Sequence, residues 1–311
     1  MMFSENNIYL LQVRFLLELL PYVSQETDFA LKGGTAINLF VRDMPRLSVD
    51  IDLAYLPIQD RETTMSSISD AFARLSDSIE HGMRGCRVNR LKQRNDKSIT
   101  KLIAVRDAVS IKIEVSPVSR GCVHKPSIMP VAESVEDNIG YAEMLVEDHN
   151  DLYAGKLCAA LDRQHPRDLF DVYYLLRNEG ISEDLKNTFL VYLISSNRPM
   201  AELLSPHLAD IDDRYNAEFL GMTNQQVNLK DLKETRIEMI ETISKMLTEH
   251  DCEFLLSLKR GKPDWSLFPI KNLQDKIPNL PAVRWKILNL NKMSKQQRAE
   301  SLLRLEQVLD K

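Results

Sequence analysis

The stretch Leu31-Lys-Gly-Gly-Thr-Ala-Ile-Asn-Leu-Phe-Val-Arg-Asp-Met-Pro-Arg-Leu-Ser-Val-Asp-Ile-Asp-Leu53 decides the fold of this chain. Phe29-Ala30-Leu31 reads as a short strand, and Thr35 to Val41 as a helix with Ile37, Phe40 and Val41 on one side. Val49 to Leu53 reads as the next strand. Gly33 and Gly34 open the helix, where bare α-carbons let a phosphate come close to backbone N–H groups and to the positive helix end. Residues two apart in a strand share a face, so Asp50 and Asp52 point one way while Val49, Ile51 and Leu53 fill the other. Two neighbouring carboxylates repel unless a cation lies between them, and Mg²⁺ (or Mn²⁺) takes carboxylate oxygens together with a nucleotide's phosphates. The stretch therefore points to an NTP and a divalent metal.

A third acid is needed if two metal ions are to bridge attacking and leaving oxygens. Glu114 is the candidate. It shares one face of the strand Val109–Val115 with Lys112, opposite Ile111, Ile113 and Val115. A single acid in such an alternation is ordinarily the wet side of a half-covered strand, and it is the upstream aspartates that give Glu114 its weight. Lys156, on a helix spanning Asp148 to Asp162, shares a face with Ala160 and Arg163 and offers a point charge for a triphosphate. From its helix alone it reads equally as a surface lysine. Asp168 and Asp171, just after Arg167, stand in a first helical turn, where capping and the helix dipole favour acids anyway.

Around these residues the chain is ordinary. Its 311 residues, 44% hydrophobic and 27% charged, suit one large or two modest globular domains. The start of the chain lacks a basic leader, and no run approaches the roughly 20 apolar residues that span a bilayer. Four scattered cysteines without a CxxC fit free thiols in a cytoplasmic protein. Six histidines show no HxxxH or HExxH spacing, which argues against zinc chemistry, and neither GxSxG nor GxxxxGK[ST] occurs. The net charge of −5 hides an asymmetry, because residues 255–311 hold 12 basic against 5 acidic side chains. A second basic cluster comprises Arg84, Arg87, Arg90, Lys92, Arg94, Lys97 and Lys101. Such local stripes on an acidic chain suit a phosphate backbone.

The remaining pattern sets the order of elements. An amphipathic helix is expected over 4–20, a helix over Arg61–Ile79, and strands over Arg84–Leu91, Ile99–Val105 and Val109–Val115, the last two joined as a hairpin through Arg106-Asp107-Ala108. Residues 116–130 read as irregular. Helices follow at Arg167–Asn178, 183–194, 199–210, Asn228–Thr248 and Ser294–Leu309. The chain is thus α+β, a mixed N-terminal half (1–145) followed by an all-helical half (146–311).

Gly33-Gly34-Thr35 with Asp50-x-Asp52 resembles the nucleotidyltransferase superfamily of the DNA polymerase β type. With Lys156, Arg167-Asp168-Leu-Phe-Asp171 and the tail segments Pro263-Asp-Trp-Ser-Leu-Phe and Leu280-Pro-Ala-Val-Arg-Trp, the chain is similar to the AbiEii/AbiGii toxins, including the MenT type. The resemblance implies a nucleotidyltransferase sheet with flanking helices and a toxin with a cognate antitoxin, in phage defence by abortive infection or in growth control. It implies transfer from an NTP to RNA, with the tRNA acceptor end as the expected target. Gly33, Gly34 and Thr35 would then meet the triphosphate, Asp50, Asp52 and Glu114 would hold the metals, Lys156 would neutralise phosphate charge, and Asp168 would be the later acid. A small-molecule nucleotidyltransferase, a kinase and a nucleotide-binding interaction protein that transfers nothing stand as alternatives.

Overall fold

The computed structural model describes residues 7–93, 96–223, 225, 227–270 and 273–310. The part of the expected first helix before Asn7, and Arg94 of the basic cluster, lie outside them. The chain forms two compact units, 1–152 with 220–226, and 153–219 with 227–311.

The first unit begins with α1 (Ile8–Val23), capped by the Asn7 side chain on the Tyr9 N–H. β1 (Phe29–Lys32) leads into α2 (Gly33–Ala36), which continues as one π-helical turn over Ile37–Val41. β2 (Asp50–Tyr55) and α3 (Arg61–Gly82) follow, the latter capped by Asp60. Next come β3 (Arg87–Gln93), β4 (Asp96–Arg106), β5 (Val109–Arg120), β6 (Ser127–Pro130), α4 (Glu133–Asn138) and β7 (Glu143–Val146). The strands form one mixed sheet in the order β3-β4-β5-β2-β1-β7-β6. β2 pairs antiparallel with β1 and parallel with β5, so two strands far apart in sequence flank the aspartate strand. One face of these central strands presents Leu31, Ile51, Leu53, Ile111 and Ile113, all fully buried. α1 packs on β5 and α3 on β3 and β4. Burial of each such side chain is worth roughly 1.5–3 kcal/mol, which fixes the sheet's register against a one-residue slip.

The expected hairpin forms with Arg106 paired to Val109 across Asp107-Ala108, Asp107 taking the left-handed φ of 55° that tight hairpin turns require. Residues 116–130 depart from expectation, because β5 continues to Arg120 and β6 follows. Pro117 is tolerated there since the β2–β5 register shifts between Leu53 and Tyr55, at an irregularity where a missing N–H costs little.

The second unit is helical, and the division from the first falls inside α5 (His149–Arg163). Then come α6 (Pro166–Asn178), α7 (Glu183–Ser195), α8 (Met200–Leu204), α9 (Asp212–Glu218), α10 (Leu229–Met246), α11 (Glu249–Lys259), α12 (Pro281–Lys292) and α13 (Lys295–Leu309). The helix expected over 199–210 stops at Leu204, because Ser205 precedes Pro206 and such a residue is pushed out of the helical region. The helix expected to reach Thr248 ends at Met246, and Thr248 instead starts α11 through a capping box with Asp251. Asp251 also takes the buried Lys186 ammonium at 2.7 Å, tying α11 to α7. Among the described residues no helix is long and apolar enough to cross a membrane.

Candidate active site

The sheet register assembles a row of charge on the face opposite the apolar one. β1 places Lys32 against Asp52, β2 places Asp52 against Glu114, and β5 places Glu114 against Lys101 of β4. One step along, Asp50 stands against Lys112. Side chains of register partners lie about 5 Å apart at their bases, so acids and lysines interleave in one patch. Lys101 and Lys112 reach the two oxygens of Glu114 at 2.7 and 2.6 Å, and Lys112 is 3.8 Å from Asp50.

The three acids differ in how they are held. Burial raises the Asp52 carboxyl above its ordinary value, and Asp50 and Glu114 push the same way, while Lys112 and Lys32 only partly offset them. Burial would also raise Glu114, but its bonds to Lys101 and Lys112 outweigh that and hold it below the usual range. Asp50 is about a third exposed. The pair Asp50 and Asp52 therefore fits a divalent cation, with too much acid in too little water for Asp52 to ionise at ease. Both oxygens of Glu114, by contrast, are taken by Lys101 and Lys112. A cleft of about 400 Å³ lined by Lys92, Thr100, Lys101, Glu114 and Val115 opens beside it.

The glycine turn sits against this patch. Gly33 takes φ +71°, and a β-carbon on it would stand 2.9 Å from Asp52 Oδ2. A β-carbon on Gly34 would fall 2.7 Å from the Arg46 guanidinium and 2.9 Å from Ser48 Oγ. Both glycines thus allow a close approach that no other residue permits. Thr35 is buried, its hydroxyl 2.5 Å from the Asp50 carbonyl oxygen, to which it donates, and 3.1 Å from Ser48 Oγ. The threonine locks β2 onto the helix start, so the unit's remaining offer to a phosphate is backbone N–H of the first turn. The π turn that follows is a feature that recurs at functional sites.

Arg46, Lys32 and Glu147 belong to this region and escaped the sequence reading. Alternation had a signal for the first, since Arg46, Ser48, Asp50 and Asp52 are each two apart. Arg46 is buried and donates to the Leu47 carbonyl at 3.0 Å. Glu147 follows a four-residue strand with no sequence signature. Its backbone extends the pairing of β7 to Leu31, and Cys122 Sγ donates to its Oε1 at 3.5 Å. Burial lifts its carboxyl from 4.5 to about 7, with Lys32 pulling the other way and Asp151 adding to the rise. A folded value above the unfolded one means that stability is full below pH 4.5 and is lost as pH rises through about 7. Glu147→Gln is accordingly expected to stabilise the protein above that range by about 1–3 kcal/mol, the gain vanishing in acid. A lower unfolding midpoint for the variant at alkaline pH would show instead an ionised Glu147 bound to Lys32.

The second unit holds the other expected site residues. Lys156 is buried with its ammonium 2.8 Å from Asp168 Oδ1 and 2.9 Å from Asp171 Oδ2. Arg163 grips Asp168 from α5 at 2.5 and 3.0 Å. Burial alone would raise Asp168, but Lys156 and Arg163 together hold it well below the carboxylate range. The lysine that the sequence offered as a point charge for a triphosphate or as a surface lysine lies buried between two carboxylates of α6. Asp171, left open by the sequence, is its second partner.

Of the basic cluster, Arg90 pairs with Asp77 and Lys101 with Glu114, while Arg84, Arg87 and Lys92 are exposed and make no ion pair among the described residues. Elsewhere in the first unit, His124, Asp148 and Asp151 bring ligand atoms within 4.8 Å of one another. Asp151 there receives the Val123 and His124 N–H groups at 2.7 and 2.8 Å, which ties that segment to α5, and Asp148 caps the start of α5 by accepting from Asn150 N–H at 2.8 Å.

Residues 14–287 match the family model described as the nucleotidyl transferase AbiEii toxin of type IV toxin–antitoxin systems. The fold is similar to that of MenT4, a nucleotidyltransferase toxin from Mycobacterium tuberculosis H37Rv, with a TM-score of 0.60 over 90% of this chain and 94% of that one. At 13% identity this likeness speaks for the fold alone. No curated protein matches the sequence.

Proposed function

The chain belongs to the AbiEii family of nucleotidyltransferase toxins of type IV toxin–antitoxin systems, and from that premise we propose that it moves a nucleoside monophosphate from an NTP to a hydroxyl of RNA, the tRNA 3′ end being the acceptor. The observation that supports this reading is the register of β2 and β5, which sets Asp52 beside Glu114 with Asp50 on the same face and Gly33 against the Asp52 carboxylate. Asp50 and Asp52 would hold Mg²⁺ or Mn²⁺, with Glu114 joining them, and a bound divalent ion supplies charge stabilisation and a lowered pKa for the attacking hydroxyl.

The chain's own groups do the rest. First-turn N–H groups of the Gly33–Thr35 segment receive phosphate oxygens, and the absent β-carbons leave room for them. Thr35 keeps β2 fixed to that turn, so phosphate and carboxylates retain one spacing. Lys101 and Lys112, now on Glu114, have the charge and reach to turn to phosphate when the acid takes up a cation. Exposed Arg84, Arg87 and Lys92, together with the basic tail, would follow an RNA backbone, so binding should weaken steeply with salt. A cognate antitoxin is the protein partner that the family membership supports.

The test is a labelling experiment on the purified chain with divalent metal, total tRNA and each NTP in turn. Label from the α-phosphate is expected in RNA. Label transferred only from the γ-phosphate would make the protein a kinase. Nucleotide bound without any transfer would make it an interaction protein.

A further inference from the structure

The second unit contains a cavity that the transfer reading does not use. It measures about 260 Å³ and is walled by the end of α7, by α8, α12 and α13, and by Lys259 at the end of α11. Most of its wall is apolar, with Met200, Leu290 and Leu305 buried behind it and the half-exposed ring of Trp285 at its rim.

Three cations converge on this apolar space. Lys259 is only 6% exposed, lines the cavity, and makes no hydrogen bond or ion pair among the described residues. A buried ammonium without a partner is costly, and structures retain one where a counter-charge is supplied from elsewhere. Lys286 donates to the carbonyls of Ser196 and Arg198 at 2.6 Å each, which fixes its ammonium at the cavity wall. Arg304 is exposed on α13 and has no ion pair among the described residues. Against these stands Glu202, whose carboxylate is 3.8 Å from Arg198. Burial, and then the Lys259 charge, push Lys286 down to about 8, and the Glu202 carboxylate offsets only part of this.

Charge and shape select the ligand class. A carboxylate carries one negative charge and leaves the cluster positive, whereas a phosphate monoester brings about −1.5 to −2 and three acceptor oxygens. An apolar wall with an indole at its rim suits a planar base, and base–aromatic stacking is worth about 1–3 kcal/mol. The amide of Asn289, also on the wall, gives the base edge a polar contact. We propose that this cavity binds one nucleotide, its phosphate on Lys259, Lys286 and Arg304 and its base against Trp285. The ligand is a nucleoside monophosphate, free or at the terminus of RNA, and the same contacts serve both sources.

The site shares no residue with the carboxylate patch, so it is tested on full-length Asp52→Ala protein in buffer with a chelator, where transfer plays no part. The chain has two tryptophans, and Trp285→Phe assigns the fluorescence signal. Titration with the four nucleoside monophosphates is expected to give saturable quenching that Trp285→Phe loses. Lys259→Met is expected to weaken binding about tenfold or more while raising the unfolding midpoint, since it removes an unpaired buried charge. Arg304→Gln, on the surface, is expected to weaken binding without affecting folding. A short RNA with a 5′-phosphate that displaces the mononucleotide, where its 5′-hydroxyl counterpart does not, would identify RNA as the source; failure of both to compete would identify the free nucleotide. No saturable quenching, equal affinity for inorganic phosphate, or unchanged affinity in Lys259→Met would overturn the proposal.

Discussion

Asp52→Ala is expected to lower nucleotidyl transfer by about 10²–10³-fold and to end growth inhibition, while the protein stays folded. The magnitude follows from losing a charge-positioning group at the reacting centre, where single removals cost about 10²–10³. The intact fold follows from the state of that carboxyl. Burial and the neighbouring acids raise it above the ordinary aspartate value, so its ionised form costs stability at neutral pH. Alanine removes that cost and leaves Ile51 and Leu53 on the buried face untouched. Transfer by the purified variant, growth on induction and a melting curve form the measurement. Cells that stop growing on Asp52→Ala would place toxicity elsewhere than at this patch.

Lys156→Met is expected to fail differently, by destabilising the second unit about 3–5 kcal/mol. The lysine lies between Asp168 and Asp171, both of them buried. Without it Asp171 loses an ammonium at 2.9 Å, and Asp168 keeps Arg163 as its ion-pair partner among the described residues. A charge left alone in the interior costs more than the pair contributed, which is why one-sided removal is severe. The Asp168 contribution has its own pH signature. Its folded value lies below the unfolded one of 3.8, so the stabilisation is present above that pH and disappears only in stronger acid. Activity of Lys156→Met therefore has to be read beside its unfolding midpoint. A variant that melts like wild type yet transfers nothing would return the lysine to the phosphate.

Much of the first unit was legible in sequence because its signals are local. Alternation around Asp50-Ile51-Asp52 gave the strand and the shared face of the acids, and the same rule gave Glu114. The Arg106-Asp107-Ala108 turn announced its hairpin. Short elements escaped: β6 and β7 hold four residues each, too few for a period to show. Glu147, which directly follows the unread β7, was missed for that reason. In the helical half, periodicity located α6, α7 and α10, but the α10 reading ran on to Thr248, the cap of α11, and α11 itself went unread.

What the sequence by itself determined was chemistry by residue type: a glycine turn, a two-aspartate strand and a later acid, which suffice to suggest phosphate and metal. What only the tertiary structure decided was company. Parallel pairing of β2 with β5 joins residues about sixty apart in the chain, and no local pattern encodes a pairing whose loop-closure entropy is repaid only by the assembled sheet. That pairing put Lys101 and Lys112 on Glu114, and the approach of α6 to Lys156 set that lysine between Asp168 and Asp171. A residue's type is written in the chain, but its charge state and its partners are set by what folding brings within a few ångströms of it.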